Sequence, residues 1–433
     1  MKYPKCFALL GLFASSLVLH AETLRDHINR DYQENLEDLF IHFHQNPELS
    51  FVEFETAKRM AKELRVLGYD VTEGVGKTGV VAVFKNGEGP TVMIRADMDG
   101  LPVRENSGLP YASTKRQADM YGVEQHVMHA CGHDVHITAL VGTARQLMNR
   151  KDQWSGTLVL ICQPAEERVG GAKAMIADGL YTRFPKPEYA LALHVASGIP
   201  LGKIVVRSKT AYSGADTVDI IVKGIAGHGA APHRSIDPVL VASQIVVSLQ
   251  TIVSRTLDPL QPGVITVGSI HGGTKHNIIS DRVELQLTVR SDNFETRDKL
   301  LDGIDRVAEG VARSLGVPDN LLPEVTRSEM ESTPPTLNDE ETANHIRDVF
   351  KERLPEGTVI EWPRGGMGAE DFAYFVAPEH GVKGVYFNIG GTATESTEDA
   401  PPHHSPLFRI KPEPPIKNGV EAMVVAAEAL FKK

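Results

Sequence analysis

In Thr157-Leu158-Val159-Leu160-Ile161-Cys162-Gln163-Pro164-Ala165-Glu166-Glu167 an apolar run gives way to a proline turn and two adjacent carboxylates. A half-exposed strand alternates apolar and polar residues; 157–162 does not, so it reads as a strand buried on both faces, as in a sheet covered by helices. Outward from it, 137–149 and 171–178 carry helical texture, while 80–84, 91–96 and 189–195 read as further short strands. Helices are expected at 31–44 and at 53–67, which Gly68 ends. Strands alternating with helices predict an α/β fold with a mostly parallel sheet, and sites in such sheets collect at the carboxyl ends of strands.

The chemistry-bearing residues follow that rule. Asp97 and Asp99 come after 91–96, Glu166 and Glu167 after 157–162, and His194 at the end of 189–195. Between strands lies Met128-His129-Ala130-Cys131-Gly132-His133-Asp134-Val135-His136, nine residues holding three histidines, a cysteine and an aspartate. Imidazole and thiolate favour zinc-like ions, and an Asp beside a ligating His can orient it. Two neighbouring carboxylates repel unless a charge lies close; a divalent ion is the usual remedy, with one carboxylate ligating and the other taking a proton from water. Alone, each signal has an ordinary reading: a helix start at Asp134, a solvated acidic loop, a core histidine at His194, a surface loop at His403-His404. Their shared placement favours a metal site.

From about Ser208 the texture changes. Strands at 217–222, 264–270, 282–289 and 324–330 interleave with long amphipathic helices at 238–253 and 296–315. That strand-helix-strand-strand-helix-strand order predicts a ferredoxin-like α+β module, 214–333, inserted into a catalytic domain formed by 22–213 and 334–433. Lys2 and Lys5 ahead of an apolar run that ends at Ala21 predict a signal peptide over 1–21, hence an exported, periplasmic or secreted protein that no membrane retains after cleavage. The net charge of −11, with no basic run, excludes nucleic acid as a partner. Beyond Cys6 there are only Cys131 and Cys162, so one disulfide at most is available.

Ordered motifs extend the argument: Arg95-Ala-Asp-Met-Asp-Gly-Leu-Pro102, Met128-His-Ala-Cys-Gly-His-Asp134, Gln163-Pro-Ala-Glu-Glu167, Leu193-His194, Gly227-His-Gly-Ala-Ala-Pro-His233, Gly272-Gly-Thr-Lys-His-Asn277, Glu370-Asp-Phe372 and His404-Ser-Pro406. In this order the chain resembles the metal-dependent amidohydrolases of the M20 peptidase family, in the branch of hippurate hydrolases, auxin-conjugate hydrolases and N-acyl-amino-acid deacylases. The resemblance implies two divalent ions (Mn, Zn, Co or Ni) held by Cys131, His133, Glu167, His194 and His404, with Glu166 as general base. It implies that Asp97, Asp99 and Asp134 position those ligands and that Asn277 contacts substrate. His228 would stabilise an oxyanion from a lid that also forms a homodimer. The expected substrates are N-acyl amino acids, with a dipeptidase or carboxypeptidase as the alternative. Ile278-Ile279-Ser280 and Ala369 depart from the family pattern and leave the substrate pocket open.

Two readings from other classes compete. A cysteine hydrolase using Cys131 leaves Glu166, Glu167 and His404 without a role, and Cys131-Gly132-His133 is tight for a nucleophile and its base. A periplasmic protein that only binds metal or peptide needs no general base, yet Glu166 is present.

Overall fold

The computed structural model describes residues 22–431; the predicted signal peptide, 1–21, lies outside the described residues. The apolar run forms the strand Gly156–Gln163, buried along its length except at Thr157. It pairs in parallel with Thr91–Asp97, which pairs in parallel with Tyr189–Ala196, which pairs in parallel with Lys383–Gly390. Antiparallel strands close both sides: Gly79–Asn86 and Asp70–Val75 on one, Ile204–Val206 on the other, making seven strands in all. The edge strand Asp70–Val75 escapes the sequence because Asp70, Thr72 and Glu73 give it no apolar face, which an edge does not require.

Both faces are covered. On one, His133–Asn149 and Glu413–Phe431 lie against the sheet, and both are buried nearly all round, as a helix between other layers must be. Phe54–Val66 and Glu340–Arg353 complete that layer with one stripe each. The opposite face is thinner: Ala172 and Met175 of Gly171–Ala177 pack with Phe372 and Phe375 near the turn Asp371–Tyr374. The helix expected at 31–44 begins earlier, at Leu24, and passes through a widened turn at Tyr32–Leu36 before Glu37–Gln45.

The inserted segment has its own core and sheet. Gly214–Lys223, Gly263–Gly272, Arg282–Ser291 and Glu324–Arg327 pair antiparallel, with Arg282–Ser291 and Gly214–Lys223 in the middle, the ferredoxin-like order. Arg282–Ser291 alternates buried and more exposed residues along its length, because Pro238–Thr251 and Phe294–Ser314 cover only one face. Asp292 anchors the junction: Ser213 Oγ and an Arg364 nitrogen both donate to its carboxylate, at 2.6 and 2.5 Å. Cys131 and Cys162 are both free, so the available disulfide does not form.

Candidate active site

After Gln163 the chain makes a strained turn that aims Glu166 and Glu167. Ala165 and Val169 flank it at φ 49° and 55°, left-handed values that a β-branched residue such as Val169 rarely adopts. The surroundings hold it there. Ala165 N donates to Glu53 Oε1 at 2.8 Å, and the Glu166 and Glu167 amides donate to the two Asp99 oxygens at 3.1 and 3.2 Å. Asp99 is itself fixed by the Ser50 hydroxyl at 2.6 Å. At Gly171 a side chain is excluded outright, since a Cβ would stand 1.6 Å from the Pro164 carbonyl oxygen.

Cys131 and His133 flank Gly132, whose φ of 84° turns the chain into the helix His133–Asn149. A Cβ on Gly132 would lie 2.4 Å from Val195, on the strand that brings in His194. His194 Nδ1 lies 2.6 Å from the Val195 carbonyl, which can only accept, so the proton sits on Nδ1 and the Nε2 lone pair faces Cys131 Sγ at 3.5 Å. His404, also left-handed at φ 64°, donates its amide to Ala130 O and places Nε2 3.4 Å from Glu167 Oε2. His133 Nε2 lies 3.8 Å from Glu167 Oε1 and 3.9 Å from Glu166 Oε2.

The five expected ligands therefore converge. Cys131–His133–His194, Cys131–Glu167–His404 and His133–Glu166–Glu167 each set their donor atoms within 4.8 Å of one another. Both ring nitrogens of His133 and Oε1 of Glu167 are buried without a hydrogen-bond partner among the described residues. Buried polar atoms are normally satisfied, so these orphans and the sulfur–nitrogen–oxygen set fit two divalent ions.

Electrostatics say the same. Burial, then Glu370 and Glu167, holds the Glu166 carboxyl well above the usual range, and burial pushes Glu167 up to about 8. Burial, then the two glutamates, also raises the Cys131 thiol well above its ordinary value. For His133, burial lowers the pKa, but Asp97, the Asp99 contact and Glu167 outweigh it and lift it to about 10. Such a nest of acids stays ionised only beside added positive charge, which bound cations provide.

Asp97 and Asp99 sit where ligands need positioning. Asp99 Oδ1 is 3.3 Å from His133 Nδ1, and Asp97 accepts from His136 Nδ1 at 2.5 Å and from Arg95 at 2.7 Å. His136 is committed on both nitrogens, because its Nε2 accepts the Val195 amide. Asp134 turns elsewhere: it bonds His44 Nδ1 at 2.7 Å and accepts the Val135 amide in the first turn of its own helix, so it ties that turn to His44 rather than holding Cys131 or His133 directly.

Several residues gain roles that the sequence did not assign. Buried His403 accepts the Ser197 amide on Nε2, so its Nδ1 carries the proton and faces Cys131 Sγ at 3.6 Å. Arg95, fully buried, donates to Gln163, Asp97 and Glu370, and the Tyr386 hydroxyl donates to Glu370 at 2.7 Å. Glu370 and Asp371 in turn bring oxygens within 4.8 Å of Glu166. His228 and Asn277 are not brought to the cluster. They lie close together at a short lid ladder, where His228 pairs with Ile278 and Gly229 N donates to Asn277 O at 2.9 Å, and both are exposed.

Beside Glu167 a cleft of about 930 Å³ opens between the turn at Arg168–Gly170 and the lid, reaching Thr217 and Arg290. The model of peptidase family M20/M25/M40 matches residues 93–429. The chain is 38% identical over 371 residues to thermostable carboxypeptidase 2 of Saccharolobus solfataricus, covering 85% of this chain and 88% of that one. It is 37% identical to the hippurate hydrolase of Campylobacter jejuni, covering 80% and 86%. A dinuclear metal-binding M20 peptidase from Bacillus subtilis superposes with a TM-score of 0.75 at 27% identity, covering 93% and 99%.

Proposed function

The chain belongs to the M20/M25/M40 peptidase family of metal-dependent hydrolases acting on amide bonds, and from that premise we propose that it deacylates N-acyl amino acids, with Glu166 as general base. The observation that carries this is the leftover carboxylate. Glu167 joins two donor groups, one with Cys131 and His404 and one with His133 and Glu166, whereas Glu166 joins only the second and otherwise meets the acids Glu370 and Asp371. Hippurate hydrolase and N-acetylcysteine deacetylase among the relatives support the substrate class; the carboxypeptidase relatives keep peptides as the second reading.

Cys131, His133, Glu167, His194 and His404 would hold two divalent ions, Mn, Zn, Co or Ni by their mixed sulfur, nitrogen and oxygen donors. When bound, such ions polarise the amide carbonyl and lower the pKa of water. Glu166 takes the proton of the attacking water on its carboxylate and passes it to the departing amine nitrogen. Asp99 keeps that carboxylate aimed by holding both amides of the Glu166-Glu167 turn. Tyr386 and Arg95 hold Glu370, whose charge works with burial to keep Glu166 basic enough to accept a proton near neutral pH.

His228 supplies an oxyanion donor from the lid of a second copy. Its Nδ1 accepts the Ala230 amide at 3.0 Å, so in the neutral ring Nε2 carries the proton and is exposed to donate, and Asn277 beside it contacts substrate. Exposed Leu240, Val247 and Ile270 on the lid support pairing there. The signal peptide supports export to the periplasm or beyond. Metal-quantified protein assayed on N-acetyl and N-benzoyl amino acids and on dipeptides tests the proposal: chelation abolishes turnover and metal restores it. Sensitivity to thiol reagents alone would reinstate the cysteine hydrolase.

A further inference from the structure

The Cys131 sulfur stands between two imidazoles that present it with opposite faces. His194 Nε2 lies 3.5 Å from Sγ and His403 Nδ1 lies 3.6 Å from it, with the two ring centroids 5.3 Å apart. The Nδ1 hydrogen of His194 goes to the Val195 carbonyl, so its Nε2 is bare; Nε2 of His403 accepts the Ser197 amide at 3.3 Å, so its Nδ1 carries the hydrogen. A bare nitrogen cannot hydrogen-bond to a thiolate and calls for a cation between the two. A sulfur about 2.3 Å and an imidazole nitrogen about 2.0 Å from one tetrahedral ion stand about 3.5 Å apart, which is the separation on the His194 side. An N–H cannot ligate, so the His403 side has a different use.

The surroundings lock His403 in that orientation. Its ring packs on Phe408, centroid to centroid 4.7 Å, and Phe408 is itself buried. Ser197, whose amide fixes Nε2, has its carbonyl held by the Thr392 hydroxyl at 2.7 Å. The main chain is tied down one residue later, where the His404 amide donates to Ala130 O at 2.8 Å, next to Cys131. His403 joins none of the groups whose ligand atoms gather within 4.8 Å, and among the described residues no other hydrogen bond reaches Sγ from a group that carries its own hydrogen. A thiolate that shares its site with Glu166 and Glu167 stands among like charges, and an N–H aimed at it offsets part of that repulsion.

We infer that His403 is a positioning residue of the metal centre: its Nδ1–H donates to the Cys131 thiolate, fixes where the sulfur offers its other lone pairs, and draws charge off that sulfur. The inference rests on the reading of Cys131 as a metal ligand. A thiolate that gives less charge leaves its ion a stronger Lewis acid towards an amide carbonyl. The histidine does this without touching substrate or ion. Removing a partner of this kind costs about 10- to 100-fold in metal affinity or activity.

The test uses the cobalt-loaded protein as wild type, His403→Leu and His403→Asn. Leucine fills the place of the ring without a donor, and asparagine returns an N–H near the Nδ1 position. Losing the hydrogen bond raises the energy of the sulfur lone pairs, so the sulfur-to-cobalt charge-transfer band of His403→Leu moves to longer wavelength. Competition with a chelator shows its cobalt affinity down about 10- to 100-fold, and His403→Asn recovers most of both. In wild type the cobalt–sulfur stretch shifts on exchange into deuterium oxide, a reading that does not depend on how well a variant folds. Affinity lost without a band shift, His403→Asn behaving as His403→Leu, or a stretch blind to deuterium overturns the inference. A wild type with no charge-transfer band removes Cys131 from the ligands and the inference with it. The expected shifts in a protein inactive on N-acyl amino acids revise the substrate and leave His403 in its role.

Discussion

The cluster around His133 and the lid ladder around His228 are built in opposite ways. At the cluster, side chains from strand ends, turns and a helix start meet, all but the exposed His404 largely buried, and their polar atoms are either fixed by neighbours or left aimed at one another. At the ladder, two residues expected to touch substrate stand exposed beside a two-strand pairing of segments far apart in sequence. Among the described residues the first gathers its side chains within one chain, and the second stands apart from that cluster. Preorganisation and reach are thus divided between two domains.

The sharpest way to break that contrast is Glu166→Gln, which keeps every proposed ligand. Turnover is expected to fall by up to about 10⁴-fold with metal content unchanged, and an active variant would remove Glu166 as the base. His228→Ala comes next, with kcat lowered by about 100-fold or more and KM little changed. Mixing the two inactive variants tells whether the lid serves its own chain. A mixed dimer joins an intact Glu166 to an intact His228 only if the lid reaches across, so recovered activity supports the second-copy assignment and its absence refutes it.

A smaller effect probes the packing beneath the cluster. His44, buried between Asp134 and Glu105, has burial working to lower its pKa, but its two carboxylate partners prevail and raise it to about 9. A pKa raised on folding adds stability that is complete below about 6.5, the unfolded value, and lost as pH rises through about 9. The difference amounts to about 3 kcal/mol, and denaturant titrations across that window should show the decline in wild type and little of it in His44→Gln. Smallest is Gly132→Ala, which forces a left-handed alanine against Val195 and should cost about 2 kcal/mol while weakening metal binding. An unaltered metal affinity would mean that Cys131 and His133 do not depend on that turn.

How far the sequence carried depended on where each residue's partner lies. Glu166 and Glu167 were legible because a buried strand leads straight into them, and the lid because its strands and helices follow one another in order. His403 was hidden: a histidine in a proline-rich loop looks like surface until Ser197 and Cys131 are seen on either side of its ring. Asp134 misled by adjacency, since its partner His44 lies 90 residues earlier. Glu370 stood in a recognised motif, yet its work depends on Arg95, 275 residues away, which no local pattern reveals.

That separation of Arg95 from Glu370 bears on how the protein is made. A ribosome delivers the central strand Thr91–Asp97 with Arg95 paired only to Asp97, long before its second acid, Glu370, exists, and the whole lid is synthesised in between. Until residue 370 emerges, the nascent sheet holds a guanidinium with only Asp97 to offset its burial, so the half-made domain has reason to stay loose while the lid, with its separate core, condenses first. A chain stopped before residue 370 therefore loses more than His404: it lacks Glu370, the distant acid that holds the buried Arg95 together with Asp97.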